Sequence, residues 1–183
     1  MKKIALPLIA AVMGLTAAAA HAAGPVSNGG VLTINGTLVA NTCTVSGNGQ
    51  GNNFTVTLPS ISASELSSAG AVAGATGFNI ALSNCTPATG NVRTFWEYGT
   101  NTLADGNLLN NGTATKVEVQ LLDYNGGVKT IEVSKADGAQ NSQVVAITGG
   151  NASLQYAAQY ISPLGSATAG SVTTNVTYSM SYQ

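Results

Sequence analysis

The 183-residue sequence predicts an all-β sandwich, and three observations carry that prediction. Apolar and polar residues alternate at period 2 in several short runs, the runs are enriched in β-branched residues, and clusters of Gly, Asn, Pro and Ser separate them. Helical periodicity does not appear. Successive side chains of an extended chain point to opposite faces, so each run offers one face to a core and one to water. In a chain of single-domain size, such strands pack as two facing sheets, with Greek-key connections expected.

The elements follow in chain order. Met1-Lys2-Lys3 is a basic start, Ile4 to Ala20 is an apolar run, and Ala20-His21-Ala22 places small residues where a signal peptidase needs them. Residues 1–22 read as a signal peptide, cleaved after Ala22, and the chain as secreted. The run is marginal for a hydrocarbon core of about 30 Å, which argues against a membrane anchor. Residues 23–36 form an extension in which Val26, Asn28, Gly30, Leu32 and Ile34 share one face of a strand. Pro25, Gly29 and Gly30 make it a poor independent structure, to be ordered only against a template. Residues 37–183 are the domain itself.

Within the domain, Phe54, Val56 and Leu58 alternate with threonines, and Phe78, Ile80 and Leu82 alternate up to Cys85. Val117, Val119 and Leu121 form a third run, and Leu154, Tyr156 and Ala158 a fourth. Ser46 to Asn53, Pro87 to Asn91 and Asp123 to Gly127 supply turns. Ser62 to Ser67 invites one short helical turn, with Ser64 as cap and Glu65 in the first turn. One Trp, six Tyr and three Phe are few, so Val, Ile, Leu and Ala are expected to fill most of the core.

Composition excludes whole classes of function. Charged residues are 7% of the chain, against about 25% in an ordinary soluble protein. A formal net charge of −1 provides no field to hold a polyphosphate, so nucleic acid is not a partner. The sole histidine, His21, leaves with the signal peptide, so no Ser-His-Asp or Cys-His arrangement can be built. No set of ligands shows metal spacing, and Glu97 and Asp105 read as solvated loop charges. An enzyme, a cofactor and a metal are therefore not expected. Cys43 and Cys85 are the only cysteines, and in an oxidising compartment they are expected to form a structural disulfide.

The two ends of the mature chain invite a further reading. Val172, Thr174, Val176, Tyr178, Met180 and Tyr182 share one face of a run that reaches the terminal Gln183, leaving no residues to cover the strand edge. Residue pattern alone leaves two readings: both ends pair inside one ordinary sandwich, or the edge recruits another chain by β-augmentation.

A resemblance separates them. The stretch from Gly36 to Cys43, the Cys43-to-Cys85 spacing, Phe54 to Pro59 and Phe78-Asn79-Ile80-Ala81-Leu82-Ser83-Asn84-Cys85 form the first half of an ordered set. Val119-Gln120-Leu121-Leu122-Asp123, Tyr156-Ala157-Ala158-Gln159-Tyr160, and Val176 to Gln183 with its penultimate tyrosine complete it. Together they span essentially the whole chain, which resembles the major pilin subunits of type 1-like fimbriae assembled by the chaperone–usher pathway. That resemblance implies an incomplete immunoglobulin-like β-sandwich, the pilin fold, missing its C-terminal strand and so carrying a groove beside the last strand. In the family a periplasmic chaperone fills the groove first, and at the outer-membrane usher the N-terminal extension of the next subunit replaces it. Carried onto this sequence, the donor strand is Val26 to Ile34, with Val26, Leu32 and Ile34 as plugs and Gly30 at a shallow point. Val172, Val176, Tyr178 and Met180 line the acceptor groove, Tyr182 is the penultimate tyrosine, and the Gln183 carboxylate is the chaperone's anchor. The expected product is a head-to-tail fimbrium on the bacterial cell surface, capped by tip or adaptor subunits. Thr37 to Thr42 carries none of the charges that family members often have there, which argues against a salt-bridge-led contact from that stretch. A tip adhesin needs a second domain for which the mature chain has no room. A small adaptor, with both groove and extension, stays open.

Overall fold

The structure, a computed structural model, describes residues 31–36 and 42–183. The expected signal peptide and the candidate donor residues Val26, Asn28 and Gly30 lie outside the described residues. The chain divides into two units, Met1–Leu38 and Val39–Gln183. In the first, residues 31–36 carry neither helix nor strand and are exposed.

The second unit is all-β. Its described strands are β1 (Thr42–Gly47), β2 (Ala71–Thr86), β3 (Gly90–Trp96), β4 (Leu108–Leu109), β5 (Glu118–Asp123), β6 (Lys129–Thr130), β7 (Val145–Ile147), β8 (Ala152–Ser162) and β9 (Tyr178–Tyr182). One sheet runs β1-β2-β8-β5-β4, with β6 also pairing β5, and the other runs β7-β3-β9. Every pairing is antiparallel, as short connections between neighbouring strands allow.

The alternating runs fall where the pairing needs them. Phe78 lies opposite Tyr156 and Ile80 opposite Leu154, so the apolar faces of β2 and β8 coincide, and Leu121 of β5 continues that face opposite Ala158. Val92 and Trp96 of β3 and Ile147 of β7 supply the facing sheet, and all of these join one buried cluster. Gly74, at φ +69, sits where the β2 register shifts; a side chain there would meet the Tyr160 ring 2.9 Å away.

Aromatic residues take a larger part than their number suggests. Phe54, Phe78, Trp96, Tyr156 and Tyr178 form a continuous cluster with ring centroids 5.2 to 6.3 Å apart. Composition cannot show this, because one large ring from each of several strands is enough to fill the centre. The short turn is a 3₁₀ segment, Ala63–Leu66, and its cap is Ser62 rather than Ser64. Ser62 Oγ accepts from the Ser64 N–H, and Glu65 reaches back to the Ser62 N–H at 3.0 Å. A side chain two or three residues before the N–H it caps has the right reach, which favours Ser62.

Two buried polar side chains complete the sheets. Gln140, 1% exposed, accepts from the Trp96 N–H at 2.9 Å and donates to the Trp96 carbonyl at 2.6 Å. Since β7 covers β3 only from Gly90 to Val92, this amide stands in for a strand at the far end. Asp123, fully buried, accepts from the backbone and side-chain amides of Asn125 and Gln143 at 2.7 to 3.1 Å, which pins two loops to the end of β5.

Candidate functional site

The sandwich is open along one line. A cleft of about 860 Å³ runs between residues 52–58 and residues 172–180. On the first rim Phe54, Val56 and Leu58 are half-buried and turn inward, while Asn53, Thr55 and Thr57 are exposed. The second rim has the same alternation: Val172, Thr174, Val176, Tyr178 and Met180 are half-buried, and Thr173, Asn175, Thr177 and Ser179 are exposed. Between them the floor is core, formed by Phe78, Trp96, Leu108, Val119, Leu121 and Ala158. Side chains that a closed sandwich covers completely are here left half-open to water.

The backbone of the rims explains why the expected strands are shorter than their alternation. The last ladder begins only at Tyr178, and residues 54–58 have no ladder at all. On the second rim the odd-numbered residues bond away from the cleft. Carbonyls of Ser171, Thr173 and Thr177 accept from the N–H groups of Ala114, Asn111 and Glu97 at 2.8 to 3.0 Å. The backbone groups of Val172, Thr174 and Val176 have no partner among the described residues. Across the cleft Thr55 is tied to the Gln50 side chain, whereas Phe54, Val56 and Leu58 likewise have no backbone partner among the described residues. Donors and acceptors on an extended chain alternate sides, so each rim turns toward the cleft a row of groups without a partner among the described residues. Two side-chain atoms of the cleft add to these: Trp96 Nε1 on the floor and Thr174 Oγ1 on the second rim are buried without a hydrogen-bond partner among the described residues.

The first rim is held in place by β1. Its ladder with β2 runs from Thr42 to Gly47, and Cys43 is bonded to Cys85 of β2. Gly47 then lets the Phe54 ring lie directly on the backbone, in space that a Cβ would occupy.

The remaining predicted residues are placed elsewhere. Tyr182 and Gln183 do not line the cleft; they border a small pocket with Cys43, Pro87 and Ile147. Gln183 pairs with Asn91 through both backbone groups, at 2.9 and 3.3 Å. Arg93 of β3 ties this end down. Its Nε donates to Asp137 at 2.9 Å, Ser181 Oγ donates to the other carboxylate oxygen at 2.7 Å, and the Gln183 amide oxygen, turned toward Arg93, lies 2.7 Å from Nη1. Sequence reading missed Arg93 and Asp137, which lie 44 residues apart with no local pattern to join them. The Arg93 hydrogen bond holds the Asp137 carboxyl below its ordinary value of 3.8. A lowered folded-state pKa gives stability that is present above that value and lost as pH falls through the folded-state pKa. The protection of the Ser181 and Gln183 amides, measured relative to intrinsic exchange at each pH, is therefore expected to fall below about pH 3.8 ahead of the core, and Asp137→Asn is expected to show the lower protection already at neutral pH.

Among the described residues no cluster of His, Cys, Asp or Glu is placed to hold a metal. Asp105 and Glu118 share the Asn107 amide at 2.9 Å each, and burial, partly offset by that hydrogen bond, raises the Glu118 pKa. Burial also raises the pKa values of Tyr178 and Tyr182.

The chain is similar to known fimbrial proteins. The family model described as FimA, type-1 fimbrial protein A, matches residues 58–183. The F17 fimbrial protein of Escherichia coli is 42% identical over 179 residues, covering 94% of this chain and 97% of that protein. The major fimbrial subunit SMF-1 of Stenotrophomonas maltophilia is 43% identical over 159 residues, covering 84% of this chain and 92% of that protein. Among solved structures, the P pilus rod subunit PapA aligns with a TM-score of 0.47 and 20% identity, over 85% of this chain and 100% of that one. With a family model over most of its length and relatives matched nearly end to end, the chain belongs to the type-1 fimbrial protein family and is a structural fimbrial subunit.

Proposed function

We propose that the cleft is an acceptor groove for a β-strand from another molecule, and that the donor is the extension at residues 23–36 of a second copy of this chain. The observation that carries this reading is the pair of facing rows of backbone groups, without a partner among the described residues, above an apolar floor. A strand laid between them bonds to both rims and covers the half-open side chains. Residues 31–36 are suited to be that strand: Leu32 and Ile34 are 83% and 82% exposed. Each contributes roughly 1.5 to 3 kcal/mol when fully buried.

Extension and groove belong to different copies, so the contact is head-to-tail and does not close, which gives a fibre. Export through the periplasm, protection of the groove by a chaperone that also holds the Gln183 carboxylate, exchange at an outer-membrane usher and display on the cell surface complete the proposal. These steps rest on the family. Tip and adaptor subunits are the remaining partners, and the shaft is the favoured place for this chain.

The register of the donor is testable. With Val26, Asn28, Gly30, Leu32 and Ile34 facing the groove, Gly30→Leu places a bulky side chain at the shallow point and costs about 1 to 3 kcal/mol, whereas Gly29→Ser on the other face costs much less. Strand-exchange rates of the two variants, measured from the chaperone-bound subunit, should differ at least fivefold. Equal rates shift the register by one residue.

A further inference from the structure

The cleft is barred near one end. Tyr178 of β9 sends its hydroxyl to the opposite rim, where it donates a 2.7 Å hydrogen bond to the Asn52 carbonyl. Its ring stands edge-on to Phe54 of that same rim at 5.7 Å and packs against Trp96 at 6.0 Å. Tyr178, Asn52 and Phe54 all line the cleft, and among the described residues no other hydrogen bond joins the two rims.

The bonded atom matters. Asn52 belongs to a rim without a ladder partner, so its carbonyl is an acceptor of the kind that an incoming strand's N–H groups take. The phenol satisfies it in the empty subunit. We propose that Tyr178 gates the acceptor groove: its hydroxyl substitutes for a donor-strand N–H at Asn52, holds the two rims together, and has to release that carbonyl before the extension of a second copy can seat. This rests on reading the cleft as an acceptor groove. Burial raises the phenol's pKa, so the hydroxyl remains a donor through the neutral range.

The gate slows filling without weakening the filled state. Once a strand is seated, its backbone takes over the Asn52 carbonyl, and the Tyr178 ring still packs on Phe54 and Trp96. Tyr178→Phe removes one oxygen and leaves the ring in place. One exposed hydrogen bond corresponds to a rate change of about threefold to tenfold.

The experiment uses the full chain released from its chaperone and a synthetic peptide of residues 23–36 in excess. Uptake is followed by the fluorescence of Trp96, the only tryptophan, which lies on the cleft floor. Tyr178→Phe is expected to take up the peptide about threefold to tenfold faster than the parent, with an unchanged dissociation rate. Uptake at the parental rate or slower overturns the gate while leaving the groove reading intact. A faster association matched by an equally faster dissociation also overturns it, because the hydroxyl then acts in the filled state. Absence of uptake by both proteins overturns the acceptor-groove reading and the gate with it.

Discussion

A subunit lacking residues 23–34 is expected to fold, to bind its chaperone and to form no fibres. The described strands and the described core residues all lie in the unit from Val39 to Gln183, so the deletion removes none of them. It does remove Leu32 and Ile34 and, on the proposed reading, the strand that would pair with both rims. Fibre assembly depends on every junction, so loss of the donor changes the outcome from long polymers to none. Electron microscopy and sedimentation of the deleted subunit, mixed with its chaperone and usher, check this. Fibres of ordinary length from the shortened chain would show that the donor lies elsewhere.

Loss of the disulfide is the second large effect. Cys43 and Cys85 close a 42-residue separation, for which the chain-entropy relation gives about 4 kcal/mol of stabilisation. The bond ties β1 to β2, and β1 leads directly into the rim that carries Phe54, Val56 and Leu58. Replacing both cysteines by serine is therefore expected to lower the unfolding free energy by about 4 kcal/mol. The first rim should loosen before the sheets melt. Denaturant unfolding gives the first quantity, and amide exchange across residues 42–58 gives the second. A loss under about 1 kcal/mol contradicts the assigned role.

How much of this was readable in the residues depends on what kind of contact was involved. The alternations at Phe78, Ile80 and Leu82, at Val119 and Leu121, and at Leu154 and Tyr156 became β2, β5 and β8, because a strand with neighbours on both sides shows its buried face directly in its period. The alternations at Phe54 to Leu58 and Val172 to Val176 are equally regular, and their side chains do turn inward, yet neither stretch has a ladder. Period 2 reports which face is apolar and says nothing of whether the backbone has a partner. That difference marks the candidate site. Other parts were invisible for another reason. Gln140 completing β3 across 44 residues, Asp123 collecting Gln143 across 20, and Tyr178 meeting Asn52 across 126 are set by how distant strands come together. Polar residues in loop-like stretches give no local sign of burial. Ser62 is the opposite case: the Ser-x-x-Glu spacing to Glu65 was in the sequence and marks the cap.

The central claim is that the cleft accepts a strand by backbone pairing on both rims. Site-resolved amide exchange of the empty subunit, before and after addition of a peptide of residues 23–36, tests it most directly. In the empty subunit the N–H groups of Phe54, Val56, Leu58, Val172, Thr174 and Val176 have no partner among the described residues. They are expected to exchange fast, and to slow by at least tenfold once the peptide is bound, on both rims together. Peptide binding that leaves these amides fast, or that protects one rim alone, contradicts the account.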